Sequence, residues 1–164
     1  MVQGTKTNAN IDAVLEEDNK IIVNDVLHEI NEQLDFKDRV VNFAVGYGFL
    51  VVATTSQGYV YNVVNWNTPA LIDLKETVNL IVQGTKFFAF VDSVSGISIY
   101  NYEGKILSSP KYSGLRVEFL NQQYLSVSLD VVTILDTSNK KLIRIFDTAT
   151  GKAANINIEH SLVI

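Results

Sequence analysis

The sequence predicts an all-β fold, and three observations lead to that class. Short stretches rich in β-branched and aromatic residues end in polar turns; residues 142–146, for example, run into a turn that ends at Gly151. Weaker copies of this strand-and-turn unit lie at 59–69 and 97–105, so the unit recurs at intervals of roughly 40 residues, as in WD40-type propellers. The connections are also too short for helical crossovers, which predicts antiparallel pairing.

Two central runs narrow the architecture further. Residues 49–53 and 87–91 are apolar at every position. A strand with one face exposed to solvent would instead alternate between apolar and polar residues. Antiparallel sheets that are covered on both faces must be stacked on other sheets, and a radial stack of small four-stranded sheets is a β-propeller. A β-sandwich is the alternative, and it predicts cleaner alternation.

The first part of the chain is the hardest to interpret. We expect residues 1–10 to be a flexible lead and residues 11–164 to form a partial WD40-like β-propeller. Residues 11–35 contain apolar positions at helical spacing, but the β-branched run at Ile21 favours strands. We therefore predict a blade remnant at 11–35, with strands at 11–16, 20–24 and 26–34.

Three four-stranded blades are expected to follow, at about 40–74, 78–120 and 124–158. Turns at Asn67-Thr68-Pro69 and at Gly104 should lead into the outer strands, and Gly104 should have a positive φ. The expected strands are 40–45, 49–54, 59–64, 70–74, 78–82, 86–91, 97–101, 105–107, 124–128, 131–135, 142–146 and 153–158, with residues 115–120 extending an outer strand.

The charge balance restricts the partners. The chain of 164 residues has a formal net charge of −5 and contains no cysteine. Nucleic acids bind basic surfaces, so they are not expected as partners. Disulfides and thiolate metal sites are excluded. No apolar run is long enough to cross a bilayer, so membrane insertion is not expected.

Residues that could carry chemistry are few and scattered. His28 and His160 lack a nucleophile motif, so a surface histidine is favoured over a catalytic base. The acidic run Glu16-Glu17-Asp18 and the loop that starts at Asp136 lack the spacing and the glycine of calcium loops, so turns are favoured. Gly151-Lys152 lacks the upstream glycine and the helix of a phosphate loop. We expect no catalytic, metal or cofactor-binding residue.

Trp66 is the candidate interaction residue. It precedes an expected turn, where its ring could be exposed, and exposed tryptophan is enriched at binding hot spots. The alternative is that Trp66 packs on a neighbouring blade.

A set of stretches, taken in order, resembles a known family, the eighty-kilodalton WD40 subunit of intraflagellar transport complex B. The most specific are Asn65-Trp66-Asn67-Thr68-Pro69 and Ser108-Ser109-Pro110-Lys111. The others are 32–41, 50–54, 72–76, 100–105 and 148–152. The resemblance covers about residues 11–160 and corresponds to part of the family's second propeller. The Trp-Asp and Gly-His dipeptides typical of WD40 repeats are absent from the sequence.

The resemblance implies a non-catalytic scaffold of complex B that is needed for cilium assembly and ciliary cargo transport. Its partners would be other complex subunits, and it would be located in the cilium or flagellum, the basal body and the cytoplasm. A generic WD40-like adaptor of another coat or scaffold complex is the alternative, and a channel enzyme is disfavoured. We also expect the remainder of the propeller to lie outside this chain, so that the chain alone would self-associate.

Overall fold

The computed structural model describes residues 2–8, 11–92, 97–109, 125–127, 131–136, 141–147 and 152–153. These residues form four antiparallel sheets of four strands each, in which strands that are consecutive along the chain pair side by side. The chain divides into two compact units, Met1–Val78 and Asn79–Ile164. The described part of the chain contains no helix that could cross a membrane.

The first sheet corrects our expectation of a flexible lead and a blade remnant. Val2–Asn8 is a strand that pairs along its length with the next strand, so the sheet has four strands instead of three. The expected third strand, 26–34, begins later, because the chain turns at 26–29 before it pairs again. The strands are β1 (Val2–Asn8), β2 (Ile11–Glu16), β3 (Lys20–Asp25) and β4 (Ile30–Asp35).

The second sheet matches the expected order but differs at its outer strand. Its strands are β5 (Val40–Gly46), β6 (Phe49–Thr54), β7 (Gln57–Asn62) and β8 (Asn65–Asp73). The turn expected at 67–69 is instead a bulge inside β8. Asn62 pairs with Asn65 and Val60 pairs with Ala70, so the four residues 66–69 lie opposite the single residue Tyr61. Pro69 is accommodated because β8 is an edge strand of the sheet. No strand lies beyond β8, so the missing N–H of the proline removes no hydrogen bond to such a strand.

These two sheets share one hydrophobic core within the first unit. Ile21 and Val23 of β3 and Leu50 and Val52 of β6 are fully buried in it. Phe36, in the link between the sheets, packs edge-on against Tyr59 and Tyr61. All four residues Leu50, Val51, Val52 and Ala53 have no solvent exposure, so β6 is covered on both faces, as its unbroken apolar run predicted.

The third sheet also has a central strand that is covered on both faces, and apart from Val78 it lies in the second unit. It consists of β9 (Val78–Gln83), β10 (Phe87–Asp92), β11 (Ile97–Asn101) and β12 (Ile106–Ser108). Every residue of β10 is buried, and Phe88 packs against Phe90 and Tyr100. The expected positive φ of Gly104 is confirmed at 86°, in the turn before β12. The expected strand at 115–120 lies outside the described residues.

The fourth sheet consists of β13 (Leu125–Val127), β14 (Val131–Asp136), β15 (Lys141–Asp147) and β16 (Lys152–Ala153). β14 and β15 are paired antiparallel from Asp136 and Lys141 onward, and the turn expected after Asp136 lies at residues 137–140, outside the described part. Lys152 begins a strand, where a phosphate loop would continue into a helix. Residues 154–158 of the expected last strand lie outside the described part.

Candidate interaction surface

One end of the first unit is lined by charged turns and links. Backbone hydrogen bonds join them: Val40 N donates to Asp18 O at 2.7 Å, and Thr55 N donates to Arg39 O at 3.0 Å. The side chains of Ser56 and Asp38 also bond each other here. The β2–β3 turn, the β4–β5 link, the β6–β7 turn and the segment after β8 are therefore at the same end. Its charged residues are Glu17, Asp18, Lys37, Asp38, Arg39, Lys75 and Glu76.

The opposite end has a different composition. Six-residue strands place it about 20 Å away, and it carries the β3–β4, β5–β6 and β7–β8 turns. Four large apolar side chains are exposed in these turns: Val64 is 78% exposed, Leu27 68%, Val26 64% and Tyr47 55%. We call Val26, Leu27, Tyr47 and Val64 the hairpin-tip surface. Among the described residues of these three turns, Glu29 is the single carboxylate and there is no lysine or arginine.

The turn that presents Val26 and Leu27 is fixed by a buried carboxylate. Asp25 is 1% exposed and accepts hydrogen bonds from the backbone N of His28 at 3.2 Å and from its ring Nδ1 at 2.8 Å. Burial acts to raise the pKa of Asp25, but the hydrogen bonds and the charge of His28 outweigh it and hold this pKa below its ordinary value. The carboxylate is therefore retained in its ionised form, and it holds the turn in one conformation.

The two turns of the second sheet support each other. Tyr47 and Gly48 form a two-residue hairpin turn with φ values of 55° and 85°, the left-handed conformation of type I′ turns. Val63 N donates to Gly48 O at 3.1 Å, which joins the β5–β6 turn to the β7–β8 turn. The side chain of Asn62 accepts a bond from Val64 N at 3.0 Å. Both turns are thus held in place by hydrogen bonds while their apolar side chains point outward.

Tyr47 is an unusual residue for its position. A bulky residue at positive φ is strained, and this position normally holds asparagine, aspartate or glycine. Strained residues are concentrated at binding and catalytic sites, where the strain is tolerated for function. An exposed aromatic ring in such a conformation is therefore a functional candidate, and the turn would be more stable with asparagine.

Trp66, the interaction residue that we considered, is not exposed. Its side chain is 7% exposed and belongs to the core of the first unit, where it contacts Tyr61 at a ring separation of 6.0 Å. The bulge of β8 places this ring in the core, where the aromatic residue in contact with it, Tyr61, belongs to its own sheet and not to a neighbouring blade. A direct role of Trp66 in partner binding stays a prediction.

The other candidates are not brought together into a site. Glu17 lies in the β2–β3 turn and pairs with Lys20 at 3.8 Å. His28 bonds Asp25, and no nucleophilic side chain of the described residues hydrogen-bonds to this pair. The described residues contain no group of three or more histidine, aspartate or glutamate side chains that could hold a metal ion. His160 lies outside the described part.

Comparison with known proteins identifies the family. The model of a family described as the IFT80 second β-propeller matches residues 4–164. The chain belongs to this family. The Intraflagellar transport protein 80 homologs of Rattus norvegicus and Mus musculus are each 44% identical to it over 131 residues. That match covers 79% of this chain and 17% of each relative, so the chain spans less than a fifth of their length.

Solved structures confirm the fold of this IFT80 propeller segment. The computationally designed Ika4 protein superposes with a TM-score of 0.63 at 12% identity, covering 90% of this chain and 91% of Ika4. Apo AztD from Citrobacter koseri gives a TM-score of 0.65 at 13% identity, over 93% of this chain and 45% of AztD. With the family match, these likenesses establish the propeller class and exclude the β-sandwich alternative.

The sequence did not reveal the hairpin-tip surface of this IFT80 family member. We interpreted Val26 and Leu27 as strand residues and Val64 as the end of a strand, so their exposure was not expected. A usable signal was present: Tyr47-Gly48 between two apolar runs is the place where a hairpin normally carries Asn-Gly. An aromatic residue in that position is therefore a candidate for a role other than stabilising the turn.

Proposed function

We propose that this chain is a non-catalytic scaffold module of intraflagellar transport complex B and serves cilium assembly and cargo transport along cilia. The observation that carries the proposal is the family match over 4–164, together with 44% identity to the two mammalian homologs. Complex B subunits would be its partners. The cilium or flagellum, the basal body and the cytoplasm would be its locations.

The chemistry of the described residues is consistent with a binding role. Asp25 and His28 form an acid–base pair, but the pair is used to close the β3–β4 turn. An enzyme would need a nucleophile or an electrophilic group within hydrogen-bond reach of that pair. A scaffold needs rigid surfaces, and the hydrogen-bonded turns of the first unit provide one.

A chimera tests the proposal. The matching segment of the Mus musculus homolog is replaced by this chain, and the chimera is expressed in ciliated cells that lack the endogenous protein. We expect cilia to assemble and the tagged chimera to copurify with complex B. A version that lacks the segment is the matched control, and we expect it to fail in both respects.

The outcomes separate the hypotheses. A chimera that is stably produced but does not enter complex B would overturn the proposal and favour an adaptor role in another complex. A chimera that enters the complex without restoring cilia would confirm the scaffold role and contradict the role in cilium assembly.

A further inference from the structure

Three features of the hairpin-tip surface point to a binding site for a particular kind of partner. It exposes four large apolar side chains, the side chains of its described turns that can be charged near neutral pH are those of His28 and Glu29, and its turns are hydrogen-bonded before any partner arrives. Protein–protein interfaces are depleted of charge at their centre and enriched in aromatic residues, and these properties set this end of the unit apart from the other.

The charge distribution defines the chemistry of the occupant. Nucleic acids and anionic membranes need lysine or arginine, and the described turns of this end contain neither. Asn62 and Asn65, which flank Val64, are exposed and uncharged; their side-chain oxygens accept backbone N–H groups of Val64 and Asn67. Around Tyr47 and Val64, whose turns contain no charged residue, a charged partner face would lose hydration without gaining an opposite charge.

The conformation of the turns lowers the entropic cost of binding. The β3–β4 turn is closed by Asp25 and His28, and the β5–β6 turn is bonded to the β7–β8 turn. Ordering a flexible loop on binding reduces affinity, and these loops are already ordered. The two-residue hairpin turn requires the positive φ of Tyr47, but asparagine or glycine would adopt this conformation with less strain, so the turn alone does not explain a tyrosine here.

We propose that the hairpin-tip surface docks an uncharged, apolar face of another protein subunit of the transport complex, with the ring of Tyr47 as the aromatic anchor. This inference rests on the proposed function. Val26, Leu27 and Val64 expose further apolar area at the same end of the unit. Binding is therefore driven by apolar burial rather than by ion pairs.

The substitution Tyr47→Asn separates binding from folding. Asparagine adopts the left-handed conformation more readily than tyrosine, so the melting temperature of the isolated chain should stay the same or rise. Removal of the ring should lower the retention of complex B subunits by the chimera roughly tenfold or more. If Tyr47 had only a structural role, the variant would not combine an unchanged or higher melting temperature with weaker retention of complex B subunits.

Matched variants complete the experiment. Val64→Asn should also lower retention, whereas Leu71→Asn should leave it unchanged, because Leu71 is a comparably exposed residue in the body of β8 and outside the surface. Each variant is introduced into the chimera, and retained subunits are measured by quantitative mass spectrometry after affinity purification. Circular dichroism melting of the isolated chain checks folding.

Each result decides the proposal. The proposal is supported if Tyr47→Asn and Val64→Asn lower the retention of complex B subunits and Leu71→Asn does not. Normal retention of the two tip variants overturns it and leaves the scaffold function intact. A concentration-dependent dimer of the isolated chain that the tip variants dissociate would assign the surface to a second copy and overturn it. Failure of the unmodified chimera to enter the complex overturns the proposed function and this proposal with it.

Discussion

The burial of Trp66 illustrates how a polar atom can be tolerated in a core. Among the described residues, its indole Nε1 is a buried side-chain atom without a hydrogen-bond acceptor, although the ring is well packed. A buried donor without a partner costs about 1–3 kcal/mol, and that cost offsets part of the gain from burying the ring. The residue is therefore retained for its volume and shape.

We expect Trp66→Phe to lower the free energy of unfolding by less than about 1.5 kcal/mol, because the variant keeps an aromatic ring and loses the unpaired donor. Trp66→Ala should cost about 3–5 kcal/mol, because it leaves a cavity. Urea denaturation followed by circular dichroism measures both. Equal stability of the alanine variant and the wild type would contradict the core assignment.

We expect Asp25 to make the stability of the first unit depend on pH in the acid range. Its pKa is lowered from an ordinary value of 3.8, because bonds from His28 outweigh the effect of burial. Because the pKa of Asp25 is lower in the folded state than in the unfolded state, the ionised carboxylate stabilises the fold. This stabilisation is complete at pH values above the pKa of the unfolded state. It is lost as the pH falls through the pKa of the folded state.

We therefore expect the stability difference between wild type and Asp25→Asn to persist above pH 4 and to shrink as the pH falls below it. Urea unfolding at pH 6, 5, 4, 3 and 2.5 measures the difference, and the fluorescence of the single tryptophan, Trp66, reports on the unit in both proteins. A difference that is unchanged down to pH 2.5 would show that the bonds from His28 do not depend on the charge of Asp25.

At the scale of elements, the sequence predicted the central strands of the sheets best. The run 49–53 predicted β6, because every side chain of a strand covered on both faces must be apolar. β1 was missed because Val2 is the single strongly apolar residue of Val2–Asn8, and the strand is formed by pairing with β2 rather than by its own composition. The bulge in β8 was interpreted as a turn, because asparagine, threonine and proline favour both.

The β11–β12 turn provides the element-scale prediction. Gly104 has a φ of 86°, and Gly104 N donates to Asn101 O at 3.1 Å within a turn that also bonds Asn101 N to Lys105 O. A valine in this conformation is strained, so Gly104→Val should lower the free energy of unfolding by about 1 kcal/mol or more.

Asparagine tolerates positive φ better than valine does, so Gly104→Asn is the matched control and should cost clearly less. Thermal melting of both variants beside the wild type makes the comparison. Equal losses for the two substitutions would show that the absence of a side chain, and not the backbone conformation, is what this turn requires.

At the scale of the molecule, the candidate site depends on which turns share an end. Composition alone gives the net charge but not its separation into a charged end and an apolar end of the first unit. That separation follows from strand order and from the hydrogen bonds that join Asp18 to Val40 and Arg39 to Thr55. Family resemblance supplied the expected function, whereas the surface became visible only when the turns were placed.

The separation of charge leads to the last prediction, which concerns salt. Interactions between exposed charges are screened strongly as the ionic strength rises, because the Debye length falls from about 14 Å at 0.05 M to about 4 Å at 0.5 M. Apolar burial is not weakened by salt in this range. Docking through the hairpin-tip surface should therefore resist high salt, and docking through the charged end should not.

We expect washes from 0.05 to 0.5 M sodium chloride to change the retention of complex B subunits by the chimera by less than about threefold. Lys37→Ala and Arg39→Ala, at the charged end, should leave retention unchanged at every salt concentration. A loss of tenfold or more over this range, together with weaker retention of these two variants, would move the docking site to the charged end. The exposure of Tyr47 would then need another explanation.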